Sequence, residues 1–304
     1  MVTGHMLGAA GGILVDRLAG EPHASVHPVV GFGAAMRHLE AVLWRDSRGS
    51  GVVFAAGGVG AGVGAGAVLG STAAATAIAV GGRALARAAG AVSVALAAGD
   101  LDEARALLPG LVGRDTDGLD EKDMARAVVE SVAENTVDAV AAPALWAAVA
   151  GAPGALGYRA VNTLDAVVGH RTARYARFGW ASARLDDVAG WVPARVTAAL
   201  VMAVRPRSAA AVWRAVRRDA RQHPSPNAGV VEAAFAAALG LRLGGSSTYA
   251  GRAELRPSLG DGRPPEAADI TRAVHLSTDV SLALAACLVA AGVAARRHAT
   301  RWSS

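Results

Sequence analysis

The stretch "VVFAAGGVGAGVGAGAVLGSTAAATAIAVGG", residues 52–82, runs through thirty-one residues without a charge. About 20 apolar residues suffice for a helix to cross a bilayer, so this run is long for one span. Gly58, Gly62, Gly66 and Gly70 recur every fourth residue. That spacing puts them on one helical face, where a neighbouring helix can approach closely. Gly70-Ser71-Thr72 reads as a turn, so the stretch is expected to open a hairpin. One apolar helix covers 52–69 and a second covers 73–98, passing Arg83 and Arg87. A dinucleotide-binding reading of the same glycines fails, because no strand precedes them and no acid follows at the required distance.

The rest of the composition agrees with a membrane protein carrying sizeable polar loops. Hydrophobic residues make up 53% of the 304, mostly Ala, Val and Leu, while charged residues are 18%, below the usual quarter. Mean hydropathy is +0.34. The net charge is +5, which suits phosphates or anionic lipid. No basic block is interleaved with aromatics, so no nucleic-acid surface is expected. Lys122 is the sole lysine and is followed by Asp123, which excludes a P-loop. The single cysteine, Cys287, lies in "VSLALAACLVAAG" and reads as a buried small apolar residue. The N-terminus lacks a basic n-region and a convincing cleavage site and reads as retained.

Further apolar segments are expected at about 4–15, 139–157, 188–204 and 274–295. Segment 139–157 is interrupted by Pro143, Gly151, Pro153 and Gly154. A broken or re-entrant helix fits it, and such backbone is tolerated at depth only under cover of protein or a wet cavity. The fold class is therefore all-α: a polytopic membrane bundle with amphipathic helices outside the lipid, read as a single domain over 1–304. Trp146, Trp180 and Trp191 suit interface anchoring. Arginines occur in every loop, so charge alone sets no orientation.

Chemistry gathers in three places. "ARAVVESVAENTVDAVAAPALW" follows an N-cap candidate, Asp120. At helical pitch Asp123, Arg126, Glu130, Glu134 and Asp138 fall within about 120° of one another. A solvated face is the ordinary reading. Against it, no cation lies four residues downstream, Asn135 and Thr136 add neutral polar groups, and the stripe ends where the apolar segment begins. Oxygen donors so spaced suit Mg²⁺. The second place, 158–187, holds Arg159, Asn162 and Asp165 at three-residue steps, then His170, Arg171, Arg174, Tyr175, Asp186 and Asp187. It reads as a polyphosphate site or a salt-bridged loop. The third, "DRLAGEPHASVHPVVGFG" at 16–33, sets Asp16, Glu21 and His27 about a Gly-Pro-rich turn, and a capped turn is its plain reading.

These stretches, with "GRDT" at 113–116, "YRAVNTLDAVVGHRTARY", "SARLDDV" and "PSPNAG", occur in one order from about residue 7 to 275. Together they resemble the adenosylcobinamide-phosphate synthases of cobalamin biosynthesis, the CobD/CbiB family. The pair "AENTVDAVAAP" and "AVNTLDAVVGHR" is specific. The resemblance implies a multi-pass enzyme of the cell (cytoplasmic) membrane with its active site facing the cytoplasm. Its reaction would be a carbon–nitrogen ligation. (R)-1-Aminopropan-2-ol, or its O-phosphate, joins adenosylcobyric acid in an amide, driven by ATP with Mg²⁺. Glu130, Glu134 and Asp138 would then hold the metal, or one of them would be the base, with Asn135 and His170 beside them. Arg114, Asp115, Arg171 and Arg174 would face the nucleotide. Asp16, Glu21, His27, Arg159, Asn162, Asp165, Tyr175, Asp186, Asp187 and Asn227 would orient substrate. Expected partners are the two substrates, the bilayer, and copies of the chain or other late corrin-pathway membrane enzymes. For the motifs to meet on one side, 52–98 must cross an even number of times and 139–157 must dip in and return. A non-catalytic membrane sensor on the same scaffold and a transporter built on the broken helix are the rivals.

Overall fold

The computed structural model describes residues 2–20, 27–113, 116, 118–170, 172–249 and 252–301. The fold is 81% helical with almost no sheet. The helices are α1 (Val2–Ala19), α2 (Pro28–Leu43), α3 (Arg48–Leu69), α4 (Thr72–Ala79), α5 (Gly82–Ala97), α6 (Leu101–Leu107), α7 (Glu121–Thr136) and α8 (Ala142–Val168). Then come α9 (Trp180–Ala189), α10 (Trp191–Val204), α11 (Ala209–Asp219), α12 (Ala228–Leu239) and α13 (Ala267–Arg301), with strands β1 (Leu243–Tyr249) and β2 (Arg252–Leu259) preceding α13. Among the described residues, five helical stretches are long and apolar enough to cross a membrane: Arg48–Leu69, Thr72–Ala97, Glu121–Val168, Trp180–Val204 and Ala267–His298. The chain forms two compact units. One comprises 1–81, 138–193 and 284–304, and the other 82–137 and 194–283.

In the first unit the glycine stripe does what its spacing predicts. A Cβ on Gly58 would come within 2.8 Å of Leu164, one on Gly62 within 2.6 Å of Ala160, and one on Gly66 would strike Ala152 O. The three bare positions let α3 lie directly on α8. Gly70 does not extend the stripe. It ends α3 in the left-handed region at φ 67°, its N–H bonded to Gly66 O, and the Ser71 side chain caps α4 through Ala74 N. Glycine meets that conformation without a Cβ penalty. The turn is where it was expected, but the helix after it is interrupted at Val80–Gly81, dividing α4 from α5. At the other end of α3, Met36, Phe54, Leu164, Val168 and Phe178 form a buried core.

The expected broken helix is a hairpin. Residues 138 and 158 would stand about 30 Å apart on a straight helix, yet Tyr158 Oη donates to Asp138 Oδ1 at 3.3 Å. The chain reverses at Gly151, whose φ 66° and ψ −149° leave helical space. A Cβ on Gly154 would strike Trp146 O, so the arms are in van der Waals contact at the bend. The arms of α8, 142–150 and 152–168, are about 14 Å and about 26 Å long, each less than the ~30 Å hydrocarbon core. A π-helical turn at Val137–Ala141 precedes the hairpin, breaking the α-helical register that ties Asp138 to Glu130 and Glu134 in the sequence.

In the second unit α7 starts as expected, Asp120 Oδ1 accepting the Asp123 N–H at 2.8 Å. Buried hydroxyls tie the unit together. Ser131 Oγ donates to Leu111 O at 2.6 Å, and Thr136 Oγ1 and Ser277 Oγ meet at 2.8 Å. Two arginine–aspartate knots close the loops. Arg218 holds Asp219 and Asp261, while Arg263 and Arg272 both bind buried Asp269. The β1–β2 hairpin was not foreseen. Its register slips between Leu243 and Gly245, where Gly244 and Gly245 take φ of 82° and 101°. Cys287 is exposed on α13 rather than buried. It sits in an apolar span, so its face is one that lipid would cover.

Candidate functional site

Each unit carries its own polar cluster. In the first, the α8 hairpin and α9 converge acids. Tyr158, almost fully buried, reaches Asp138. Asn162 Nδ2 donates to Asp186 Oδ1 at 3.4 Å, and Arg159 Nη1 donates to Asn162 Oδ1 at 3.4 Å. Asp165 lies within the electrostatic reach of Asp138 and Asp187, and Asp186 within that of Asp165 and Asp187. The four carboxylates are half-buried, not sealed. Arg184 pairs with Asp187 at 3.3 Å on the rim. The cluster is thus net negative, with a phenol, an amide and a guanidinium among its acids. His27 caps α2, its Nδ1 accepting the Val29 N–H at 3.2 Å. Burial, then the Arg159 charge, lowers its pKa, so the imidazole favours the neutral form.

The second cluster is buried around α7 and α12. Glu130, 1% exposed, accepts the Gly244 N–H at 2.8 Å, so the β-bulge presents a backbone donor to a carboxylate. Glu232, fully buried in the apolar helix α12, lies close to Glu130 and Glu134. Burial first, and then the charges of Glu134 and Glu130, raise the Glu232 pKa well above the carboxylate range. Carrying a proton, it can donate to Glu134. His223 Nε2 stands 3.5 Å from Glu232 Oε1. His223 Nδ1 accepts the Ser225 N–H at 3.1 Å, which leaves the ring proton on Nε2, facing that acid. Burial, then Arg256, lowers the His223 pKa. The contact is therefore between two neutral groups rather than an ion pair.

The sequence-derived candidates divide between these clusters and the scaffold. Asp138, Arg159, Asn162, Asp165, Asp186 and Asp187 come together in the first unit, and Glu130 and Glu134 in the second. Of the three carboxylates read as metal ligands, Asp138 belongs to the first unit and Glu130 and Glu134 to the second. Among the described residues no group of three or more His, Cys, Asp or Glu could hold a metal ion. Tyr158, on the other arm of the hairpin, reaches Asp138. Asn135 turns back on α7, donating to Ser131 O at 2.9 Å. Asn227 Oδ1 accepts from Arg195 at 3.2 Å. Arg174 is held by Glu40 at 2.8 Å and lies over the Trp44 and Tyr175 rings, so Tyr175 belongs to that stack. His170 is exposed past the end of α8, and Asp16 is buried in α1. Glu21, Arg114, Asp115 and Arg171 lie outside the described residues. Sequence reasoning did not single out Tyr158, His223 or Glu232. Glu232 left a signal, since a lone acid inside "AGVVEAAFAAAL" has no solvated face to occupy.

Comparison with known proteins gives one consistent result. The profile of the family described as CobD/Cbib protein matches residues 9–277. A protein of Mycobacterium tuberculosis named cobalamin biosynthesis protein CobD is 49% identical over 294 residues, covering 91% of this chain and 93% of its own. Proteins of the same name from Geobacter metallireducens and Halalkalibacterium halodurans are 44% and 37% identical. They cover 83% and 86% of this chain and 86% and 88% of their own. No solved structure matches.

Proposed function

The chain belongs to the CobD/CbiB family of cobalamin biosynthesis, and from that premise we propose that it is the membrane ligase that forms the aminopropanol amide of adenosylcobyric acid. The substrates are (R)-1-aminopropan-2-ol or its O-phosphate, the corrin acid and ATP, and the site faces the cytoplasm, where ATP is available. The observation that carries this reading is the half-buried acid cluster of the first unit. A primary amine is protonated at neutral pH and is then no nucleophile. Asp138, Asp165, Asp186 and Asp187 attract the ammonium, and one of these carboxylates accepts its proton as nitrogen attacks. Tyr158 and Asn162 offer hydrogen bonds to the neighbouring oxygen of the amino alcohol.

The corrin carboxylate repels nucleophiles until activated. A carboxylate oxygen attacks the γ-phosphorus of ATP and ADP leaves. The amine nitrogen then attacks the acyl carbon, the acyl C–O bond breaks, inorganic phosphate departs and the amine proton passes to the carboxylate base. Mg²⁺ takes one or two carboxylates together with phosphate oxygens. Glu130 and Glu134, one turn apart on a single face of α7, offer a donor set of that kind. Glu130 and Glu134 would hold the ion, which would supply charge neutralisation on the nucleotide phosphates.

The test is incubation of purified protein with adenosylcobyric acid, ATP, Mg²⁺ and each amine, with mass analysis of the product. An amide-linked product with ADP release is expected. Asp165→Asn should raise KM for the amine and shift the pH profile of the reaction. ATP-independent corrin or amine binding with no product at any pH would favour the non-catalytic sensor instead.

A further inference from the structure

One end of α3 carries basic and aromatic side chains that neither acid cluster uses. From Gly49 to Leu69 the helix has twenty-one residues without a charge. They rise about 31 Å, close to the ~30 Å hydrocarbon core of a bilayer. Arg48, the first residue of α3, therefore stands where hydrocarbon gives way to headgroups. Other segments of the first unit meet it there. Trp44 Nε1, at the end of α2, donates to Arg174 O at 3.2 Å and so ties down the loop that follows α8. That loop packs on the first turns of α3: a Cβ on Gly51 would strike Phe178 O, and the Phe54 and Phe178 rings are 5.2 Å apart. Next, α9 begins at Trp180, with the Arg48 guanidinium 5.1 Å from its ring centre.

We propose that this belt binds the headgroups of anionic phospholipids, with Arg45 and Arg48 on their phosphates and Trp44 and Trp180 at the edge of the acyl chains. Arg174 is paired with Glu40 at 2.8 Å, and Arg177 faces Asp46 at 3.8 Å. Arg45 and Arg48 are exposed and have no acid partner among the described residues, so the belt has two positive charges in excess. The nearest acids on α9, Asp186 and Asp187, begin six residues beyond Trp180, about 9 Å along the axis, and Asp187 already holds Arg184. A guanidinium stacked on an indole keeps its in-plane N–H donors for phosphate oxygens. Indole rings suit the headgroup level, polar at one end and apolar at the other. A zwitterionic headgroup brings its own cation and leaves the excess charge in place, whereas an anionic one neutralises it. A dissolved phosphate has no chains to seat beside the rings.

The test reconstitutes the full-length protein in bilayers of phosphatidylcholine and phosphatidylglycerol, with one of the two lipids brominated at a time. Brominated chains quench tryptophan on contact, so the two quenching curves give the relative affinity for the anionic lipid. Wild type should prefer phosphatidylglycerol. Arg45→Gln with Arg48→Gln should cut that preference about tenfold or more, since each arginine at an anionic surface is worth roughly fivefold. Arg45→Gln alone, at an exposed residue between helices, should cut it about fivefold. Arg48→Lys, which keeps the charge, should retain most of it. So should Arg214→Gln with Arg217→Gln, at exposed residues of α11. Equal affinity of wild type for the two lipids overturns the proposal, as does a preference unchanged in the Arg45 and Arg48 variants. Equal loss in the α11 variant would make the preference a property of overall charge and overturns it too. So does abolition of the preference by soluble sn-glycerol 3-phosphate, which would make the belt a site for free phosphate.

Discussion

Replacing Glu232 by glutamine removes a titration while preserving shape. Glu232 is 0% exposed and neither of its oxygens accepts a hydrogen bond from the described residues. Its pKa in the folded chain lies well above the ordinary 4.5, burial being the largest cause. Above that ordinary value the unfolded chain has lost the proton and the folded chain still holds it. Folded protein therefore binds more protons, and stability falls as pH rises until the folded pKa is passed. The slope approaches about 1.4 kcal/mol per pH unit for one such group. In a protein of this size that is on the order of 2 °C in Tm per unit. His223 works in the opposite direction. Its pKa is lowered, so it adds stability that is present above the ordinary histidine value and lost as pH falls. Taking the difference between wild type and Glu232→Gln at each pH isolates the glutamate. Thermal unfolding of the detergent-solubilised protein, followed by tryptophan fluorescence from about pH 4.5 to about pH 8, should show the variant gaining on wild type as pH rises. A difference that stays flat with pH would refute the neutral-acid reading. So would a variant clearly less stable than wild type at neutral pH, since that outcome requires an ionised, paired Glu232.

Gly151→Ala should lose about 1–3 kcal/mol, because φ 66° with ψ −149° is close to glycine-only backbone; a Tm equal to wild type would mean the hairpin bend is not as described. Gly62→Leu should cost about 1–3 kcal/mol by overpacking, since even a Cβ there comes within 2.6 Å of Ala160, whereas Gly64→Leu, with nothing within 4 Å, should be tolerated; equal losses at both would dismiss the close α3–α8 approach. In proteoliposomes a charged maleimide should leave Cys287 unmodified until the protein is denatured, as its exposed face lies in an apolar span; rapid labelling in intact vesicles would place that face in water.

Spacing alone was enough for the elements whose cause is local. The uncharged run from 52, the four-residue glycine stripe and the Gly70-Ser71 stop each follow from short-range chemistry, as does the Asp120 cap. The breakers at Gly151 and Pro153 showed that the following apolar segment could not be a plain helix. The family resemblance added the reaction but no geometry. What the sequence could not convey is which acids share an environment. Helical pitch groups Asp138 with Glu130 and Glu134, but a π turn breaks that register and the reversal at Gly151 brings Tyr158 to Asp138. Burial made a similar difference. Glu232 stands out in the chain only as a lone acid in an apolar helix and His223 not at all, and they become neutral partners only because long-range packing removes them from water. A cavity in the second unit likewise joins Arg126 to Arg242 and Arg256, more than a hundred positions further along the chain. Local chemistry determines where helices start, stop and turn. Charge state and coordination depend on desolvation and on neighbours distant in sequence, and those are set only when the chain packs.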